Sequence, residues 1–119
     1  MTVEERVYNA LTGSEALVSL LADGVNSIYN SKSDDAGTYP VVVFTLVSAS
    51  PSLHADDTMI AYETVYRINA LTADGSTKAL RKAIYDAMID AGFMWEDTNK
   101  TWDADVCVLS MDFTYFDEV

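Results

Sequence analysis

A chain of 119 residues, half of them hydrophobic and carrying seven Tyr, four Phe and two Trp, suits one domain spanning 1–119 and argues against intrinsic disorder. Its formal net charge of −12, from 19 acidic against 7 basic residues, excludes the Lys- and Arg-rich surface that grips nucleic acid. Such a charge suits a basic partner, a DNA-mimicking inhibitor, or a wall past which nucleic acid slides without adhering. The single cysteine, Cys107, excludes an intrachain disulfide and the four-cysteine zinc frameworks, which fits a reducing, intracellular setting.

In chain order, Thr2 and Glu5 have the capping-box spacing, and Val3, Val7, Ala10 and Leu11 follow at helical intervals, so a first helix is expected to about Leu11. The opening Met-Thr-Val-Glu-Glu-Arg is acidic where a signal peptide would be basic. Gly13 suits a helix end, and Ser14 caps a shorter segment with Leu17, Leu20 and Leu21 on one face. Val25 to Tyr29 reads as a short strand, and the polar cluster from Asn30 to Gly37, with Lys32, Asp34 and Asp35, as an exposed loop.

Pro40 fits a strand start, and the β-branched run Val41 to Val47 predicts a central strand covered on both faces. That run is the longest apolar stretch and is far too short to span a bilayer, so no membrane contact is expected. From Ile60 the apolar residues Ile60, Tyr62, Tyr66 and Ile68 alternate with Glu63, Arg67 and Asn69, the two-residue period of a half-buried strand. Between these strands lies Ser48 to Asp57, whose ten residues exceed a usual hairpin turn and predict a projecting loop.

Asp74-Gly75-Ser76 offers caps for a helix whose stripe Ala79, Leu80, Ala83, Ile84, Ala87, Met88 and Ala91 packs on the sheet before Gly92 stops it. Tyr85 and Ile89 fall on the opposite face and are candidate subunit contacts. A final hairpin is expected, with its turn at Thr98-Asn-Lys100 and with Cys107, Leu109, Met111, Phe113 and Tyr115 on the apolar side of its second strand. These elements make an α+β fold: a mainly antiparallel sheet of about five strands, with an N-terminal helix and one long helix on one face.

Chemistry has few candidates. Ser50, Ser52, His54, Asp56 and Asp57 supply the residue types of a nucleophilic triad, yet neighbours on one flexible loop are not held to the geometry that proton transfer requires. No Gly-x-Ser-x-Gly elbow accompanies them. His54 with Asp56 and Asp57 makes a weak metal-binding pattern, since one histidine cannot build a two-histidine zinc site. Cys107 reads as a small buried hydrophobe, and Trp95 and Trp102 as cross-strand packing beside a turn. No catalytic, metal or cofactor site is expected.

Several of these stretches, taken in order, carry a family likeness: the helix Val3 to Leu11, Ser27-Ile-Tyr-Asn30, Thr38-Tyr-Pro-Val-Val-Val-Phe44, Ser-Pro-Ser-Leu-His-Ala-Asp, Tyr62 to Ile68, Ala73-Asp-Gly-Ser-Thr77 and Gly92-Phe-Met94. Together they cover nearly the whole chain, which resembles the tail-completion or tail-terminator proteins of long-tailed bacteriophages, the group that includes tail-to-head joining proteins. The resemblance implies a small α+β subunit of a ring, commonly a hexamer, at the head-proximal end of the tail in the virion, assembled in the host bacterial cytoplasm. Its partners would be copies of itself, the tail-tube protein and the head connector, with DNA passing through the ring unread.

On that reading Lys32, Asp34 and Asp35, and Ser50, Pro51, His54, Asp56 and Asp57, belong to loops that reach the channel, tube or connector. The alternatives are a small acidic DNA mimic that inhibits a nucleic-acid enzyme and, less favoured, a minor hydrolase using the His54 loop.

Overall fold

The computed structural model describes residues 1–31, 38–55 and 58–118; for 52–55, 58–61 and 118 only the backbone is described. Helix α1 spans Val3–Thr12, and its first turn is held by Thr2, whose Oγ1 accepts the Glu5 N–H at 3.1 Å and lies 3.1 Å from the Glu5 carboxylate. Ser14 caps α2 (Glu15–Val18) through an Oγ that accepts the Leu17 N–H. Val25 to Ser27, expected as strand, instead belongs to a 3-10 turn over Gly24–Ser27, within which the Ser27 hydroxyl accepts the Asp23 N–H. Strand β1 is only Ile28–Asn30.

Strands β2 (Val41–Ala55), β3 (Thr58–Thr72), β4 (Met94–Asp103) and β5 (Val106–Glu118), with helix α3 (Lys78–Asp90), complete an α+β fold. The five-stranded sheet has the order β1-β2-β3-β5-β4, antiparallel except for the parallel β1–β2 pair. The run Val41 to Val47 is therefore not the central strand; that place belongs to β3. Val41 to Phe44 are buried as expected, but Leu46 and Val47 are half exposed, because β1 covers β2 only along Val42 to Phe44.

Alternation along paired strands places Val42, Phe44, Tyr66, Ile68, Ala70, Leu109, Met111 and Phe113 on one face, where they meet Val7, Leu11, Leu17, Leu80, Ile84 and Met88 of the helices. Full burial of such side chains contributes about 1.5–3 kcal/mol each. Phe44 joins the layers, with its ring centroid 6.3 Å from those of both Tyr8 and Tyr66. Nearby, the Arg6 guanidinium lies over the Tyr115 ring, which in turn packs on Phe93.

The turn before α3 uses the expected residues differently. Thr77 is the N-cap and makes no side-chain cap bond, while the Asp74 carboxylate accepts the Ser76 N–H at 2.9 Å, which holds its pKa below the ordinary carboxylate value. Gly75 has φ +79°, and a Cβ there would lie 2.9 Å from the Trp102 ring. Gly75→Ala is expected to cost about 1–2 kcal/mol, because the left-handed backbone disfavours a side chain and the indole must also move. A urea midpoint identical to the parent's would contradict that account.

The last hairpin turns at Ala104 and Asp105, with Ala104 at φ +54°, and not at Thr98-Asn-Lys100. Those three residues continue β4 and pair with Met111, Ser110 and Leu109. Polar residues resembled a turn there because an edge strand exposes them to water on its outer side.

Candidate assembly surfaces

Most of the expected loop is strand. Ser48 to Ala55 continue β2, and the chain returns along β3 from Thr58, with Ala49 paired to Thr64, Ser50 to Glu63, Pro51 to Tyr62 and His54 to Met59. Register shifts at Leu46/Ser48, Pro51/Leu53 and Leu53/His54 accommodate Pro51 and bend the ribbon. Ser50 and Pro51 are exposed on this strand, and His54 is placed by its backbone. Asp56, Asp57, Lys32, Asp34 and Asp35 lie outside the described residues.

Fifteen-residue strands span about 50 Å, whereas the 13-residue α3 covers only about 20 Å. The hairpin therefore runs past the helical layer as an arm, and the longest molecular dimension is 52 Å. The end of β5 follows the arm: Tyr115, Phe116 and Asp117 pair with Thr64, Glu63 and Tyr62. Leu46, Val47, Tyr62 and Phe116 stand half exposed along it.

The second surface is the sheet face opposite the helices, which no described helix covers. Arg67 grips Asp112 with Nε–Oδ1 at 2.8 Å and Nη2–Oδ2 at 3.1 Å, and this bond raises the guanidinium pKa. Beside it the Ser110 hydroxyl donates to Asn69 Oδ1 at 2.6 Å, and Asp97 and Asn99 from β4 complete a polar hollow. With side chains this exposed the Arg67–Asp112 pair contributes at most about 1 kcal/mol, so its main effect is to keep the face hydrated and ordered.

The third surface joins α3 to the edge strand β4. Tyr85 and Ile89 are exposed as expected from the helical period, and Tyr85 lines a groove of ≈ 510 Å³ with Arg81, Lys82, Trp95, Thr98 and Met111. Trp95 and Trp102 stand beside Phe113 and Cys107 across the ladder, but each remains about half exposed because β4 has no outer neighbour. The Trp95 indole N–H donates to Thr98 Oγ1 at 2.7 Å. Sequence reasoning assigned neither the polar hollow nor the groove; the polar residues at alternate positions of β3 and β5 were the available signal for the hollow.

Cys107 is fully buried. Among the described residues no group of three or more His, Cys, Asp or Glu is placed to hold a metal ion, and no helix is long and apolar enough to cross a membrane.

The molecule is thus an α+β protein: a mainly antiparallel sheet with helices on one face, a polar face that no described helix covers, and a protruding β2–β3 arm. No protein-family model matches the chain, and neither does any curated protein. Among solved structures, a chain from the virion of a native gene transfer agent particle has the same fold, with TM-score 0.75 over 98% of this chain and 95% of that one at 17% identity. A second solved structure aligns over 100% of this chain and 97% of its own, with TM-score 0.52 and 10% identity.

Proposed function

We propose that this chain is a structural subunit of a phage-like virion, forming a ring at the head-proximal end of the tail that caps the tube and joins it to the head connector. The observation that carries the reading is the end-to-end fold match to the gene transfer agent virion chain, which spans arm, sheet and helices together. The architecture supports the same role. The arm gives a protomer reach toward a ring above or below, and its exposed Leu46, Val47 and Phe116 supply apolar contact area.

The helix-free face suits a water-filled channel. Among the described residues its Glu63, Asp97, Asp103 and Asp112 outnumber Arg67, and Asn69, Asn99 and Ser110 keep it wet. A lumen of that sign repels DNA in transit over about a Debye length, ~8 Å at physiological salt. Nothing in this role calls for a cofactor, a catalytic group or sequence-specific DNA contact, and His54 acts as an arm residue. A DNA mimic displays an uninterrupted row of carboxylates at phosphate-like spacing, whereas the acids of this face are interrupted by the Arg67 pair with Asp112.

Mass measured over a concentration series, alone and with tail-tube protein, tests the proposal. A closed oligomer, commonly six copies in this class of ring, and blunt-capped tubes in electron micrographs are expected. A chain that stays monomeric and leaves tube growth unchanged, while binding a nuclease or polymerase, would favour the inhibitor reading instead.

A further inference from the structure

We infer that the α3–β4 groove is the socket for the α1–β1 edge of a second copy, so that protomers join head to tail; this rests on the self-association in the ring reading. Among the described residues the sheet ends in two edges without a strand partner, on opposite sides: β4 along its whole length, and β1 with the part of β2 beyond Phe44. An open edge bearing half-exposed Met94, Trp95 and Trp102 invites strand pairing, which a soluble protein manages by covering it. A contact between two different patches of the same chain is heterologous, and repetition of it closes a ring when the rotation permits.

Local charge selects the occupant. α3 and β4 also carry Asp86, Asp90, Glu96, Asp97 and Asp103, but the first turns of α3 are basic, with Lys78, Arg81 and Lys82 together on one hollow, although the chain as a whole is strongly acidic. Lys82 pairs with Asp86, and Lys100 Nζ donates to the Gly75 carbonyl; among the described residues Lys78 and Arg81 are in no ion pair. Trp95 and Tyr85 add an aromatic wall. The complementary ligand is an acidic edge with small apolar and aromatic contacts.

The far side of the same protein has that composition. Glu4 and Asp23 are exposed there, Glu4 accepts a hydrogen bond from Asn30 of β1, and Tyr8 and Val25 are half exposed beside them. Strand direction agrees as well. β1 runs parallel to β2 and β4 antiparallel to it, so β4 meets the β1 of a neighbour in antiparallel sense when the copies share an axis along the strands. The sheet then continues from copy to copy, with helices outside and the polar face inside.

A charge swap tests the contact. Lys78→Glu with Arg81→Glu makes the socket acidic, and Glu4→Lys with Asp23→Lys makes the edge basic; all four positions are exposed, so circular dichroism should stay native. At low salt each doubly substituted protein is expected to need roughly 10-fold or more higher concentration to assemble, since attraction becomes repulsion at every junction. An equimolar mixture should recover the parental mass, because acidic sockets then receive basic edges and basic sockets receive acidic ones.

If the parent forms a closed oligomer that both altered proteins form equally well, the socket assignment is wrong and the ring reading stands. If both are weakened but the mixture does not recover, the two patches do not meet. A charge-swap effect on an open filament would retain the contact and remove the ring, while a parent that never self-associates, with tube protein or without, overturns both.

Discussion

Replacing Ser50 to Glu63 by Asn-Gly, a two-residue turn between the paired Ala49 and Thr64, is expected to abolish tube capping while leaving the body folded. The deleted segment lies in the part of the hairpin beyond the helical layer, and among its residues with described side chains none belongs to the buried core cluster. Loss of its ladder, which includes the pairing of Tyr62 and Glu63 with Asp117 and Phe116 of β5, should change the unfolding free energy by only about 1 kcal/mol, as the freed backbone groups bond to water. The function read out is different: without these residues the β2–β3 hairpin no longer runs past the helical layer. Unfolding of the shortened protein would mean that the arm is part of the cooperative core, and unimpaired capping would move the docking role elsewhere. His54→Ala in the full chain should leave capping intact, which separates contact by the arm from chemistry at its histidine.

Phe44→Ala should be the most damaging single substitution in the body, with a loss of about 3–5 kcal/mol. Phe44 is buried at the one place where β2, α1 and β3 meet, and truncation removes the ring that both Tyr8 and Tyr66 lean on. Burial and the nearby Glu4 charge hold the Tyr66 hydroxyl above its ordinary pKa, and the apolar cavity left beside it adds the cost of lost contacts to that of lost burial. A domain of this size has about 5–15 kcal/mol of stability in all. Denaturant titration should therefore show a large drop in midpoint, with Phe44→Leu falling between parent and Ala. A midpoint shift as small as that of an exposed residue would mean that α1 does not rest on the sheet at this point.

The helical layer was largely legible from residue order. The stripe Leu80, Ala83, Ile84 and Met88 is buried, Tyr85 and Ile89 face out, and Thr2 and Ser14 cap as their side chains allow. Helical periods arise from contacts three and four residues apart, so the chain announces them locally. The β3 alternation was equally plain, with Tyr66, Ile68 and Ala70 inward and Arg67 outward. The strand ends were not. Ser48 to Ala55 and Thr98 to Lys100 look like turns because Ser, Pro, Asn and Lys satisfy turn chemistry, yet both are strands whose partners lie elsewhere in the chain.

What the sequence by itself determined is the fold class, the helix faces and the burial of Cys107, all of which follow from short-range periodicity. Tertiary structure alone decided that β3 is central, that Ser50, Pro51 and His54 ride on a protruding arm of paired strands, and that Lys78, Arg81, Lys82 and Lys100 share one flank with Trp95. The physical reason is common to all three: strand order and register are fixed by hydrogen bonds between residues distant in sequence, and no local pattern records which edge is left open.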